Sequence, residues 1–113
     1  MKYIKTYEEE SLYNQMILKL KIDDYIIGQD LHLRKDLKEF LENSVGQLYY
    51  IERFDKNVLY YAKYNFVPDE LRKYFQIEKN LILYIFTWGE FWTATPEQIK
   101  QQKIKDDANK YNL

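Results

Sequence analysis

The chain has 113 residues and a mass of 14.0 kDa, which is enough for one compact domain and too little for two separate cores. Its hydrophobic fraction of 46% and charged fraction of 31% are typical of a globular protein. The absence of Cys and the single His exclude disulfide scaffolds, thiolate nucleophiles, Cys-based zinc sites and multi-His metal sites. Seventeen basic and eighteen acidic residues give a net charge of −1, which argues against a generally cationic nucleic-acid binder.

The apolar residues are distributed as in a cytoplasmic protein. No run of about 18 apolar residues is present, and the first ten residues lack the apolar stretch of a signal peptide. We therefore expect a single domain over residues 1–113 without membrane contact. Its core is predicted over residues 16–95, followed by a C-terminal helix or tail over residues 96–113.

The segment before residue 23 fits two secondary structures. One set of apolar positions has the helical spacing i, i+3, i+4, i+7, and an overlapping set alternates as in a half-buried strand. The helical set is Tyr13, Met16, Ile17 and Leu20, and the alternating set is Met16, Leu18, Leu20 and Ile22. We favour a strand from Met16, preceded by helical or disordered chain. Asp23 and Asp24 then predict a turn, and Tyr25–Gly28 predicts an extended run.

An amphipathic helix is predicted next. Its apolar positions have helical spacing, polar residues cover the opposite face, and Asp30 is a candidate N-terminal cap. These positions are Leu33, Leu37, Phe40 and Leu41, and the helix is expected to end at Asn43 and Ser44.

The clearest hairpin signal follows, in residues 45–54 and 58–67. Both runs are rich in aromatic and β-branched residues, and Asp55, Lys56 and Asn57 between them suit a tight loop. Alternation along the second strand places Tyr60, Ala62, Tyr64 and Phe66 on one face and Tyr61, Lys63 and Asn65 on the other.

Two helices and two further strands complete the prediction. Pro68 begins a short helix whose Leu71, Tyr74 and Phe75 would pack on the sheet. Strands are predicted at residues 81–88 and at Phe91–Thr93, joined by a turn at Gly89 and Glu90. Thr95 and Gln98 have capping-box spacing around Pro96. The helix that they start is mostly polar, so we expect it to bury little and to project from the domain or fray.

The aromatic content of 18% is the main candidate functional signal. Neighbours such as Tyr49 and Tyr50 point to opposite faces of a strand, so some of these rings must be exposed. Half-buried tyrosines with hydrated hydroxyls are one explanation, and a contact surface is the other. The predicted binding positions are aromatic residues in or near strands and basic residues beside them: Tyr50, Tyr61, Tyr84, Trp88, Trp92, Arg53, Lys63 and Arg72.

The sequence shows no catalytic or cofactor motif. His32 has no Ser or Cys motif near it and is interpreted as a surface or cap residue. The acidic pairs at residues 23–24 and 106–107 lack the spacing of a Ca²⁺ loop. The three glycines stand far apart, which excludes Rossmann and P-loop fingerprints. We therefore expect no enzyme activity, no cofactor and no metal site.

The order of these motifs resembles that of small uncharacterised phage proteins with an SH3-like barrel. The matching segments are Lys2-Tyr3-Ile4-Lys5-Thr6-Tyr7-Glu8, Ile22-Asp23-Asp24-Tyr25-Ile26-Ile27, Ile51 with Tyr61-Ala62-Lys63-Tyr64, Pro68-Asp69-Glu70-Leu71-Arg72-Lys73-Tyr74-Phe75, and Trp92-Thr93-Ala94-Thr95-Pro96-Glu97-Gln98-Ile99. Such families usually carry a Gly-Asp pair where this chain has Asp23-Asp24. The resemblance implies a phage origin and an SH3-like barrel, and its motifs are structural.

These observations predict an α+β fold. The sheet is expected to be a small curved antiparallel SH3-like barrel of about five strands, with an inserted amphipathic helix, a short second helix and a C-terminal helix. The predicted function is that of a non-catalytic accessory protein that binds a host or phage protein through an aromatic sheet face. A homodimer is compatible with this prediction. The alternatives are an oligomer that sequesters a nucleotide-like ligand and a single-stranded nucleic-acid binder.

Overall fold

The computed structural model describes residues 7–111 and gives an α+β fold, as predicted. In chain order the elements are α1 (Tyr7–Lys19), β1 (Tyr25–Gly28), α2 (Lys35–Asn43), β2 (Val45–Phe54), β3 (Asn57–Tyr64), a 3₁₀ helix (Asp69–Tyr74), β4 (Gln76–Glu78), β5 (Leu81–Phe86), β6 (Phe91–Thr93) and α3 (Pro96–Tyr111). The strands form one antiparallel sheet in the order β4-β5-β3-β2-β1-β6. The leader at residues 2–6, which contributed to the phage resemblance, lies outside the described residues.

The sheet is open, so the predicted SH3-like barrel is not confirmed. Over residues 7–111, β4 and β6 are the two edges, and the sheet has six strands instead of about five. The rings of Phe86 on β5 and Phe91 on β6 are nevertheless 5.7 Å apart. Three strands separate β5 from β6 in the sheet order, so this contact shows that the sheet curls around its core without closing.

The predicted strand from Met16 is wrong, because helix α1 continues to Lys19. The helical spacing of the segment buries Tyr13 completely and leaves Leu18 86% exposed. In a strand, Leu18 would share the inward face with Met16. The tertiary contacts of Tyr13 with Trp88, Phe91 and Trp92 therefore decide between the two periodicities.

The central hairpin is confirmed, with two differences. Asn57 already pairs with Phe54, so the loop is shorter than the predicted three residues, and Asp55 adopts a positive φ of 51° in it. Strand β3 ends at Tyr64, so Phe66 does not continue the inner row and is 44% exposed.

Helix α2 is confirmed, but Asp30 is not its cap. The helix begins at Lys35 and its flanking residue is Arg34, which makes no side-chain capping bond. Asp30 instead lies in the preceding loop at a φ of 54°. Leu37 and Leu41 are buried as predicted.

The later elements differ from the prediction in detail. The short helix is a 3₁₀ helix with Pro68 directly before it, and its Leu71 is buried. Strand β4 was not predicted, because Ile77 is its one apolar residue. It pairs with β5, which ends at Phe86, two residues earlier than predicted.

Helix α3 buries little, as predicted, since Ile104 is 54% exposed. It nevertheless makes hydrogen bonds to the rest of the domain. Its capping box is confirmed, since the Thr95 hydroxyl accepts from Gln98 N at 3.1 Å and the Gln98 side chain accepts from Thr95 N at 2.9 Å. Gln102 Oε1 accepts from Val45 N at 2.8 Å, and Lys105 Nζ donates to Asn43 O at 2.8 Å. Polar contacts therefore join the helix to the domain, although it lacks the apolar stripe whose absence was the basis of the prediction.

Gly28 is required where β1 passes α2. A Cβ atom at this position would lie 2.9 Å from the backbone oxygen of Leu41 and 2.9 Å from Leu31 Cδ1. Gly28→Ala is expected to lower the free energy of unfolding by about 1–3 kcal/mol, because backbone atoms cannot move aside cheaply. Urea denaturation would measure this loss, with Gln29→Ala, an exposed neighbour, as the control. Equal stability of the two variants would contradict the close approach.

Candidate functional site

The sheet has two faces with different environments. The register places Leu48, Ala62 and Tyr84 side by side on the face that packs into the core. We call the opposite side of β2, β3, β5 and β4 the outer face. By the same register, its residues are Gln47, Tyr50, Glu52, Phe54, Asn57, Leu59, Tyr61, Lys63, Gln76, Glu78, Leu81, Leu83 and Ile85.

A β-bulge in β2 places two neighbouring tyrosines outside the core. The register shifts between Leu48 and Tyr50, so that Leu48 and Ile51 both pack towards the core. The two residues between them stay outside, with Tyr49 44% and Tyr50 53% exposed. A bulge inserts one extra residue and resets the alternation of a strand. Neither tyrosine of this pair therefore enters the core.

Tyr50 and Tyr61 form a ring pair on the outer face. Their centroids are 5.7 Å apart with an interplanar angle of 57°. The Tyr61 hydroxyl donates a hydrogen bond to Glu52 Oε1 at 2.8 Å. This bond, with a smaller effect of burial, raises the pKa of Tyr61, because a phenol that donates to a carboxylate keeps its proton.

Two carboxylates act electrostatically on Tyr61. Glu52 lies on β2 and Glu78 on β4, on opposite sides of β3 in the sheet order. Both contribute electrostatically to the raised pKa of the Tyr61 hydroxyl. Leu59 and Ile85 are half-buried and neighbour Tyr61 on the same face, Leu59 along β3 and Ile85 across the pairing with β5. The outer face therefore combines aromatic and aliphatic surface with two carboxylates and the ammonium group of Lys63.

The predicted aromatic positions fall into three groups. Tyr50 and Tyr61 are together on the outer face. Tyr84 lies on the core face, 5.4 Å from the ring of Phe75, and burial raises its pKa to about 12. Trp88 and Trp92 pack on Tyr13 of α1, at centroid distances of 4.9 and 5.3 Å. The five aromatic residues therefore do not form one surface.

The predicted basic positions do not converge either. Arg53 pairs with Val58, which is in register with the core face. Lys63 lies on the outer face of β3, five residues after Val58 and therefore roughly 16 Å from it along the strand. Arg72 is on the 3₁₀ helix, where its Nε lies 3.3 Å from Val67 O and 3.5 Å from Asp69.

Helix α3 covers one end of the outer face and leaves a groove of about 380 Å³. Lys63 and Lys103 line it together with Asp106 and Asp107. The Asp106 carboxylate accepts hydrogen bonds from Asn65 and Gln102, each at 2.9 Å. Because both signs of charge line the groove, it offers no concentrated positive site for an anion.

The acidic pairs and His32 occupy peripheral positions. The Asp24 carboxylate accepts from Lys21 N at 2.8 Å, which closes the turn before β1. His32 is exposed in the loop before α2. Among residues 7–111, no group of three or more His, Cys, Asp or Glu side chains is placed to hold a metal ion. No helix in the same residues is long and apolar enough to cross a membrane.

Sequence reasoning missed Tyr49, Glu52 and Glu78. Glu52 stands two residues from Tyr50 on the same strand, so alternation alone could have placed both on one face. Glu78 could not be found in this way, because β4 was not predicted. In the comparisons with known proteins, no family model, curated protein or solved structure matched this chain.

Proposed function

We propose that this chain is a non-catalytic accessory protein that binds a partner protein through its outer face. The supporting observation is the exposed tyrosine pair, with Tyr50 53% exposed and its ring 5.7 Å from that of Tyr61. Tyrosines are enriched in binding hot spots, because their large rigid rings bury much area at low entropic cost. From the phage resemblance, the expected partner is a host or phage protein.

The two alternatives have less support. A nucleotide-like ligand needs basic groups that converge on its phosphate, and Arg53, Lys63 and Arg72 lie on different parts of the molecule. A nucleic-acid strand stacked on the outer tyrosines would bring its phosphates near Glu52 and Glu78, which repel them. A protein partner has neither difficulty.

A site-specific photocrosslinking experiment tests the proposal. The photoreactive residue p-benzoylphenylalanine replaces Tyr50 in the full chain, expressed in cells of the natural host. The matched control carries it at Phe66, which is 44% exposed and lies beside α3. The proposal predicts one adduct with a partner protein from Tyr50 and none from Phe66. No adduct from Tyr50, equal adducts from both positions, or an adduct only between two copies of the chain would contradict it.

Alanine substitutions give the expected magnitude. Once the partner is identified, Tyr50→Ala and Tyr61→Ala are each expected to weaken binding by about 2 kcal/mol or more, which is roughly 30-fold in Kd. Phe66→Ala is the control and should leave Kd within about twofold. Isothermal titration measures all three variants, and unchanged affinity in both tyrosine variants would remove this surface from consideration.

A further inference from the structure

We propose that the partner contacts the outer face with a positively charged segment, in which an arginine stacks on the Tyr50–Tyr61 pair and bonds to Glu52. This inference rests on the proposed function and specifies the chemistry of the partner. It depends on three properties of the outer face: accessible aromatic rings, carboxylates beside them, and the positions of the nearby cations.

The rings offer a stacking surface for a guanidinium group. Tyr50 is 53% exposed, and Tyr61 is held in place by its hydrogen bond to Glu52 Oε1. Arginine stacks on aromatic faces through its planar, delocalised cation. Because Tyr61 is already fixed, a ligand that stacks on the pair does not need to order this side chain.

The carboxylates offer the complementary charge. The Tyr61 hydroxyl engages one oxygen of Glu52, whereas an ionised carboxylate accepts about four hydrogen bonds. Glu52 therefore retains acceptor sites for a guanidinium. Glu78, which is exposed on the edge strand β4, is placed to attract a second cationic side chain of the same segment.

Among residues 7–111, no Lys or Arg forms an ion pair with Glu52 or Glu78. Lys63 shares the outer face and also lines the groove beneath α3, and Arg53 is in register with the core face. Lys56 lies in the turn between β2 and β3, and Lys79 in the turn between β4 and β5, at opposite ends of the sheet. The net charge of the whole chain is only −1. Attraction of a cationic segment must therefore come from the carboxylates of this face and not from the net charge of the protein.

Titration of the ¹⁵N-labelled full chain with a capped octapeptide of alternating glycine and arginine tests the inference. We expect chemical-shift changes centred on the amides of Tyr50, Tyr61 and Ile85. Matched peptides with lysine or glutamate in place of arginine should bind more weakly or not at all. Shift changes confined to α3, or equal binding of the arginine and lysine peptides, would overturn the proposed recognition of arginine.

Two double variants separate this face from general electrostatics. E52Q/E78Q is expected to weaken binding of the arginine peptide by about fivefold, because it removes the negative charge of both carboxylates on the outer face. The amide oxygen introduced on β2 can still accept the hydrogen bond from Tyr61, so the ring stays in place. E70Q/E97Q removes the same charge from exposed positions on the 3₁₀ helix and α3, and should change binding by less than about twofold. Equal effects of the two double variants would overturn the inference.

The outcome is distinguishable from failure of the proposed function. If Tyr50 crosslinks to a partner whose affinity E52Q/E78Q does not change, the cationic segment is wrong and the binding function stands. If the photoreactive residue at Tyr50 captures no partner, the proposed function fails and this inference fails with it.

Discussion

Phe91→Ala is expected to lower the free energy of unfolding by about 3–5 kcal/mol. Phe91 is 1% exposed on the edge strand β6. Its ring lies 6.1 Å from Tyr13, 4.8 Å from Tyr60 and 5.7 Å from Phe86. One side chain thus joins α1, β3 and β5 to the last strand. Removal of the ring leaves a cavity where the curled sheet meets α1. The expected loss of unfolding free energy is a large fraction of the roughly 5–15 kcal/mol that stabilises a small domain.

Urea denaturation followed by circular dichroism measures the loss. Phe66→Ala is the matched control, because it removes the same atoms from a side chain that is 44% exposed; it should cost less than about 1 kcal/mol. The fluorescence of Trp88 and Trp92 reports separately on α1, since both indoles pack on Tyr13. A loss in Phe91→Ala no larger than that of the control would contradict the central position of this ring.

Local signals predicted the elements that depend on local chemistry. The hairpin of β2 and β3, strand β1 and the capping box of α3 follow from turn residues, alternation and capping side chains that lie close together in sequence. The choice between helix and strand for the segment before residue 23 could not be made in this way. The helix of this segment depends on Tyr13, whose hydroxyl accepts from Gly89 N, 76 residues away.

The same limit applies to the candidate site. Alternation shows that Tyr61 and Lys63 share a face, but only the pairing with β5 shows that Tyr84 lies on the opposite face. The exposure of both Tyr49 and Tyr50 depends on a bulge, which single-strand alternation cannot predict. The openness of the sheet depends on how its edges lie in space, and no short motif encodes that arrangement.

The stability of this protein is expected to fall steeply above about pH 10, the ordinary pKa of tyrosine. Burial raises the pKa of Tyr13 and of Tyr64 well above that value in the folded state. Above it, the unfolded chain loses these protons while the folded chain keeps them, so alkali favours unfolding. Each such tyrosine removes up to about 1.4 kcal/mol of unfolding free energy per pH unit, and none of this loss occurs at neutral pH.

Phenylalanine variants at the two buried tyrosines separate this titration from their other roles. Both variants should reduce the alkaline slope by about 1.4 kcal/mol per pH unit, since each removes one ionisable hydroxyl. At neutral pH their effects should have opposite signs. Tyr13→Phe leaves the buried Gly89 N–H without the acceptor that holds it at 2.9 Å, which costs about 1–3 kcal/mol. Tyr64→Phe removes a buried hydroxyl that has no hydrogen-bond partner among the described residues, and should stabilise by about 1 kcal/mol.

Urea unfolding at neutral pH and at several values above about pH 10 tests both parts. Both variants are compared with the unmodified chain. A reduced pH slope of the unfolding free energy in both, with changes of opposite sign in that free energy at neutral pH, would support the prediction. This result would show that the two hydroxyls differ in hydrogen bonding and share the cost of ionising in the core. An unchanged slope in Tyr64→Phe would mean that this hydroxyl ionises over the same pH range in the folded and unfolded chains, which would contradict the raised pKa. Destabilisation of Tyr64→Phe at neutral pH would mean that its hydroxyl has a partner that the described residues do not supply.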